Sequence, residues 1–186
     1  SSYAKFLAET NQENDLFDEF KNHKGSGSDL SLRLDTSPKN IDVLLDGLKQ
    51  VEGEDVIRRV KTRLNQNVFR RMMMEIYHHS CCMTGLNIPQ VNRASHIVPW
   101  ADDASKRLDP SNGLYLSATY DAAFDKKLIS LDDDYRIILA KDIKDHYTND
   151  SVNEYFFKKE GQQITLPNRY APNKNYLAQH RKSGDF

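Results

Sequence analysis

Apolar residues recur at helical spacing at both ends of this chain and change to a strand-like period in its middle. In 1–21, Tyr3, Phe6, Leu7, Leu16, Phe17 and Phe20 alternate with acids and amides, the pattern of one amphipathic helix. Its acidic face (Glu9, Glu13, Asp15, Asp18, Glu19) reads as solvated surface. Gly25, Ser26, Gly27 and Ser28 then predict a flexible linker near 22–30. Thr36, Ser37 and Pro38 ahead of Ile41, Leu44, Leu45 and Leu48 predict a capped helix with Pro in its first turn, broken by Gly53. From Glu54 onward Val56, Ile57, Val60, Leu64, Val68, Phe69, Met72, Met73 and Ile76 hold helical spacing for about six turns. Met72, Met73 and Met74 read as adaptable core filling.

The period then changes. Residues 92–98 predict a short strand ended by Pro99, and Leu114, Tyr115 and Leu116 a second one. Ser117 predicts the cap of a short helix running through Lys127, supported by Ala118, Ala122 and Ala123. Residues 128–131 and 135–139, on either side of Asp132, Asp133 and Asp134, predict a hairpin. Residues 173–182 predict a final helix. The expected class is therefore α+β, with a helical N-terminal region over 1–60 and a second domain over 61–186.

The 186 residues are enough for one full hydrophobic core, 38% being apolar and 28% charged. No run approaches the roughly 20 apolar residues of a membrane span, and the N-terminus lacks a secretory pattern, so a soluble, cytoplasmic protein with no membrane partner is expected. The chain starts with Ser1 and Ser2 rather than Met, as a fragment or processed chain would. Its two cysteines, Cys81 and Cys82, are adjacent, which argues against a disulfide scaffold and against a zinc ribbon. A net charge of -1 gives no global field toward nucleic acid.

That sum hides a segregation. Arg58, Arg59, Lys61, Arg63, Arg70 and Arg71 fall within 57–71 with no acid among them, whereas Asp42, Asp46, Glu52, Glu54 and Asp55 precede them. Such a basic helix can lie along phosphates, or equally form a solvated face paired with the acidic stretch.

Candidate chemistry lies in the middle section. His96 closes the first predicted strand, and an imidazole with a pKa near 6.5 suits a general base, although a structural histidine fits the position too. Asn112 precedes the second strand, where its amide can orient a ring or pin a loop. Tyr120 and Asp121 lie about one turn into the short helix, and Asp125, four residues after Asp121, shares its face. Helix carboxylates can hold a hard divalent ion or serve as plain surface acids.

The words around these residues are more specific. Cys81, Cys82, Met83, Thr84 and Gly85, then Ala94, Ser95, His96, Ile97, Val98, Pro99 and Trp100, then Asn112, Gly113 and Leu114, then Asp121 to Asp125 resemble the HNH endonuclease family, more narrowly its bacterial restriction-type branch. The resemblance runs from about Asn67 to the tail. It implies a ββα-metal fold closing on one divalent cation, Mg²⁺ or Mn²⁺, and hydrolysis of phosphodiesters in double-stranded DNA, in restriction or phage defence. His96 then matches the general base and Asn112 the central Asn. The family's last His falls at Tyr120, a departure, while Ser95 stands where many members carry a metal ligand. Three readings follow for Tyr120: it ligates the metal with help from Asp121 or Asp125, it marks a natural loss that leaves a DNA-binding or interaction module, or it is an introduced change that disables cleavage. A nuclease toxin is a further reading.

For DNA contacts the resemblance adds Arg93, Lys126, Lys127, His180, Arg181 and Lys182 to the basic helix. Nothing in the sequence reads as a recognition helix, so specificity is expected from a separate targeting domain or a homodimer partner.

Overall fold

A computed structural model describes residues 54–186, with side chains from residue 62 onward. The helices expected in 1–21 and 36–52 and the linker near 22–30 lie outside the described residues, as do the side chains of Arg58, Arg59 and Lys61. The chain divides into two units, Ser1–Met72 and Met73–Phe186.

Helix α1, Glu54–Ile76, follows the predicted span. Leu64, Val68, Phe69 and Met72 form its buried stripe at i, i+4, i+5 and i+8, as an amphipathic helix requires. It ends as His78 and His79 turn to positive φ (49° and 59°).

Within Met73–Phe186, Cys81 to Gly85 form a tight knuckle. Gly85 donates its N–H to the Cys81 carbonyl at 2.8 Å, and its φ of 72° is one that L side chains rarely adopt. Both cysteines are buried free thiols. The knuckle is held by hydrogen bonds: Cys82 N–H to the Tyr115 carbonyl at 2.9 Å, and Asn92 Nδ2 to the Leu86 carbonyl at 2.7 Å.

Strand β1, Asn92–His96, pairs antiparallel with β2, Gly113–Ser117, in a register that sets His96 opposite Gly113 and Ser95 opposite Leu114. All five β2 residues are buried, the apolar Leu114, Tyr115 and Leu116 at its centre. Helix α2, Ala118–Asp125, packs on both strands. Ser117 is its N-cap residue but makes no side-chain cap bond, and the helix stops at Asp125 because Lys127 takes a φ of 59°. The result is a ββα unit with a long irregular connection between its strands.

Beyond it, β3, Ile129–Leu131, pairs with β4, Ile137–Leu139. These strands are shorter than expected at the turn. Asp132 Oδ1 accepts the N–H groups of Asp134 (2.9 Å) and Arg136 (2.8 Å), drawing 132–136 into a loop. Two short helices follow, α3 (Lys141–His146) and α4 (Asp150–Tyr155), neither anticipated because six residues are too few to display a period. Helix α5, Lys174–Lys182, is capped by Asn173 and packs on β3. No described helix is long and apolar enough to cross a membrane.

Candidate functional site

The ββα unit brings the ends of its two strands together. His96 is the last residue of β1 and Asn112 immediately precedes β2, and the Ile97 N–H bonds the Asn112 carbonyl at 3.0 Å. The connection between them is thus closed at its neck by backbone pairing.

Asn112 is fully buried and fastens that connection with its side chain. Its Oδ1 accepts the Val98 N–H at 2.8 Å, and its Nδ2 donates to the carbonyls of Val98 (3.2 Å) and Lys106 (3.1 Å). Neither a carboxylate nor an aliphatic side chain could supply an acceptor and two donors from one planar group. Asp109 and Asp103 add local caps, accepting the N–H groups of Ser111 and Ser105 at 2.9 Å each. The Asp103 carboxyl is lowered to about 2 by the Ser105 hydroxyl and Lys106.

His96 is half-buried, and its Nε2 lies 3.0 Å from the Arg107 carbonyl. A carbonyl only accepts, so Nε2 carries the hydrogen and, in the neutral ring, Nδ1 carries the lone pair. Burial pushes the imidazole pKa below its usual value, while the Arg107 carbonyl and the Asp125 carboxylate pull the other way. A neutral ring at neutral pH, with one nitrogen assigned as acceptor, is competent to take a proton.

Helix α2 separates its candidates by face. Tyr120, Ala123 and Phe124 form the buried stripe, at i, i+3 and i+4. The Tyr120 hydroxyl donates to the Tyr155 carbonyl, its ring leans on Phe156 at 5.8 Å, and burial pushes its pKa up to about 12. With its proton donated to a carbonyl, that phenol is a poor metal ligand, since ligation needs the oxygen's lone pairs and favours the phenolate.

Asp121 and Asp125 occupy the other face, half-buried and exposed respectively. Burial raises the Asp121 carboxyl, the nearby Ser95 hydroxyl and Arg93 cation lower it, and Asp125 raises it. Ser95 Oγ is buried beside that carboxylate and lowers its pKa as a hydrogen-bond donor does.

Arg63 is exposed on α1 and Arg70 and Arg71 are half-buried there, while Arg93 is exposed on β1, with Nη1 on the Gln90 (3.0 Å) and Asn92 (3.1 Å) carbonyls. His180, expected to add charge, does not. It is buried and stacked on Phe124 at 3.8 Å, with Nδ1 on Ser130 Oγ (2.9 Å) and Nε2 on the Phe124 carbonyl (3.0 Å). Burial, with Lys127 and Arg181 nearby, lowers its pKa to about 4, so it is neutral. Arg181 is paired with Asp133 and the Leu131 carbonyl, both at 2.6 Å. Sequence reasoning named Trp100 only as part of a motif and Arg107 not at all as functional, although both touch His96 or its partners.

Residues 81–132 match the model of a protein family described as HNH endonuclease. That stretch holds the knuckle, the whole ββα unit and every candidate from Ser95 to Asp125, so this segment is similar to an HNH endonuclease domain. Among solved structures, a modification-dependent TagI restriction endonuclease is similar at 16% identity and a TM-score of 0.45, over 60% of this chain and 35% of that one. The chain therefore spans about a third of that protein's length. No curated protein matches.

HNH nucleases usually use a divalent metal. Among the described residues no three His, Cys, Asp or Glu side chains gather closely enough to form a cage. The residues nevertheless fit Mg²⁺ or Mn²⁺. Mg²⁺ keeps several waters and is commonly held by only one or two carboxylates plus substrate phosphate. Asp121, Asp125 and the Ser95 hydroxyl beside Asp121 are oxygen donors of that kind.

Proposed function

We propose that this chain carries a divalent-metal-dependent endonuclease that hydrolyses phosphodiester bonds in double-stranded DNA, with the catalytic unit within 61–186 and a role in restriction or phage defence. The observation that carries it is the His96 geometry. The imidazole, at the end of β1, has its Nε2 hydrogen committed to the Arg107 carbonyl of a loop clamped by Asn112, and feels the Asp125 carboxylate of α2.

In this reading His96 accepts a proton from water on Nδ1 as the water oxygen attacks phosphorus, and the bond to the leaving sugar oxygen breaks. Asn112 is a positioning residue that holds the loop rather than the substrate. Asp121, with Asp125 and Ser95, would hold the cation, and Tyr120 is part of the core. A divalent ion bound there supplies stabilisation of negative charge on the phosphate and leaving oxygen. Arg63, Arg70, Arg71 and Arg93, with Arg58, Arg59 and Lys61, are proposed phosphate contacts, whose affinity falls with salt.

The reading of a fold that binds without turnover was motivated by Tyr120. That motive weakens once the phenol is internal and a carboxylate stands next to it on the outer face. Plasmid cleavage in Mg²⁺ or Mn²⁺, abolished by chelator and by His96→Ala, is the expected result. DNA binding by gel shift with no cleavage in any divalent metal would favour the binding module instead.

A further inference from the structure

We propose that Trp100 and Arg107 are positioning residues for His96, acting as one clamp that holds the imidazole plane and keeps its proton on Nε2. This rests on the reading of His96 as general base. The contacts form a closed circuit. His96 Nε2 donates to the Arg107 carbonyl at 3.0 Å, Arg107 Nε donates back to the Trp100 carbonyl at 2.9 Å, and the Arg107 guanidinium lies over the indole, 5.0 Å from its centroid. The indole then meets the imidazole edge-on, with centroids 5.4 Å apart and planes at 82°.

A backbone carbonyl in an irregular loop is a weak anchor unless something holds that backbone. Here the side chain of the same residue does so, folding position 107 back onto position 100 through one hydrogen bond and one cation–π contact. Asn112 secures the adjoining Lys106 carbonyl at 3.1 Å, so the accepting carbonyl is held by its own side chain and by the residue before it. The edge-on indole limits rotation of the ring about its Cβ bond, which the hydrogen bond alone would permit. An Arg whose charge rests on an aromatic face and whose Nε meets a carbonyl is oriented by the protein's own loop.

The consequence is a fixed tautomer. If the carbonyl drifts, a neutral imidazole exchanges its proton between Nδ1 and Nε2, and the fraction with a basic Nδ1 falls. The test is nitrogen-15 NMR of the histidine rings in the full chain, above the titration of His96, for the unaltered protein and for Arg107→Ala, Trp100→Ala and Trp100→Phe. The Nε2–H form should dominate in the unaltered protein. It should give way to a mixture of tautomers in Arg107→Ala and Trp100→Ala, and be largely restored in Trp100→Phe, which keeps an aromatic ring against the imidazole and the guanidinium. In the same variants kcat for plasmid cleavage should fall about tenfold with KM nearly unchanged, as misorientation of a base predicts. An unchanged Nε2–H signal in a folded Arg107→Ala protein overturns the proposal, and that variant decides alone if Trp100→Ala fails to fold. Because the ring signals need no turnover, an inactive chain with a fixed tautomer would refute the nuclease reading and leave the clamp standing.

Discussion

Two histidines in this chain make the same bond and differ in everything that follows from it. His96 and His180 each direct Nε2 at a backbone carbonyl 3.0 Å away, and burial lowers the pKa of both. At His180 the second nitrogen meets Ser130 Oγ, the ring is sandwiched against Phe124, and the nearby charges are the cations Lys127 and Arg181. At His96 the nearby charge is the carboxylate of Asp125, and the ring stands half-exposed at a strand end. One imidazole is a structural joint between α5, β3 and α2, while the other has the surroundings of a base. The bond to a carbonyl therefore identifies a tautomer, while the two rings differ in burial and in the sign of the charges beside them.

Substituting the two should give opposite losses. His96→Ala should reduce cleavage by roughly 10²–10⁴-fold, the usual contribution of a general base, with a thermal midpoint close to that of the unaltered protein. His180→Ala should cost about 2–4 kcal/mol of stability through a buried cavity and an unpartnered Ser130 hydroxyl, measured by denaturant titration, with the remaining folded fraction active. If His96→Ala unfolds the chain while His180→Ala destroys cleavage at full stability, the roles are reversed.

The two faces of α2 sharpen the comparison next. Asp121→Asn should lower cleavage about 10–100-fold and weaken Mn²⁺ binding, followed by quenching of the single tryptophan, Trp100. Tyr120→Phe should leave cleavage within about twofold and cost roughly 1 kcal/mol, the worth of one hydrogen bond to the Tyr155 carbonyl. Loss of cleavage in Tyr120→Phe at unchanged stability would return the phenol to the metal.

Much of this was legible in the chain, for identifiable reasons. The two strands were legible because Pro99 bounds the first, expected over 92–98 and ending in the structure at His96, and the second is apolar at Leu114, Tyr115 and Leu116, while α1 shows six turns of one period. Tyr120 was the hard position. Counting along a motif places it beside Asp121, but neighbours on a helix point about 100° apart, so one residue of offset exchanges the buried face for the outer one. The signal was present in Tyr120, Ala123 and Phe124, an i, i+3, i+4 apolar stripe that claims the tyrosine for the core. The fate of His180 was not legible, because its partners Ser130 and Phe124 are some 50 residues away in sequence and only the packing of α5 on β3 brings them to it.

The smallest expected effect is a pH dependence of stability. His180 has a folded pKa of about 4 against an ordinary value of 6.5, so the unfolded chain binds the proton first. Its contribution is complete above the unfolded value and declines as pH falls through 6.5 toward 4, with the same sign for the lowered pKa of His96. Asp121 acts in the opposite sense. Its raised folded pKa makes folding easier when it is protonated, so its contribution diminishes as pH rises from its ordinary 3.8 through the folded value. Between about pH 7 and about pH 5.5 the histidine dominates, and linkage gives a loss of about 1 kcal/mol for His180. Urea titrations across that interval should show the loss in the unaltered protein and a flatter profile in His180→Gln, which keeps a polar group but no titration. An equally steep profile in that variant would assign the acid sensitivity to another group and remove the strongest difference between the two histidines.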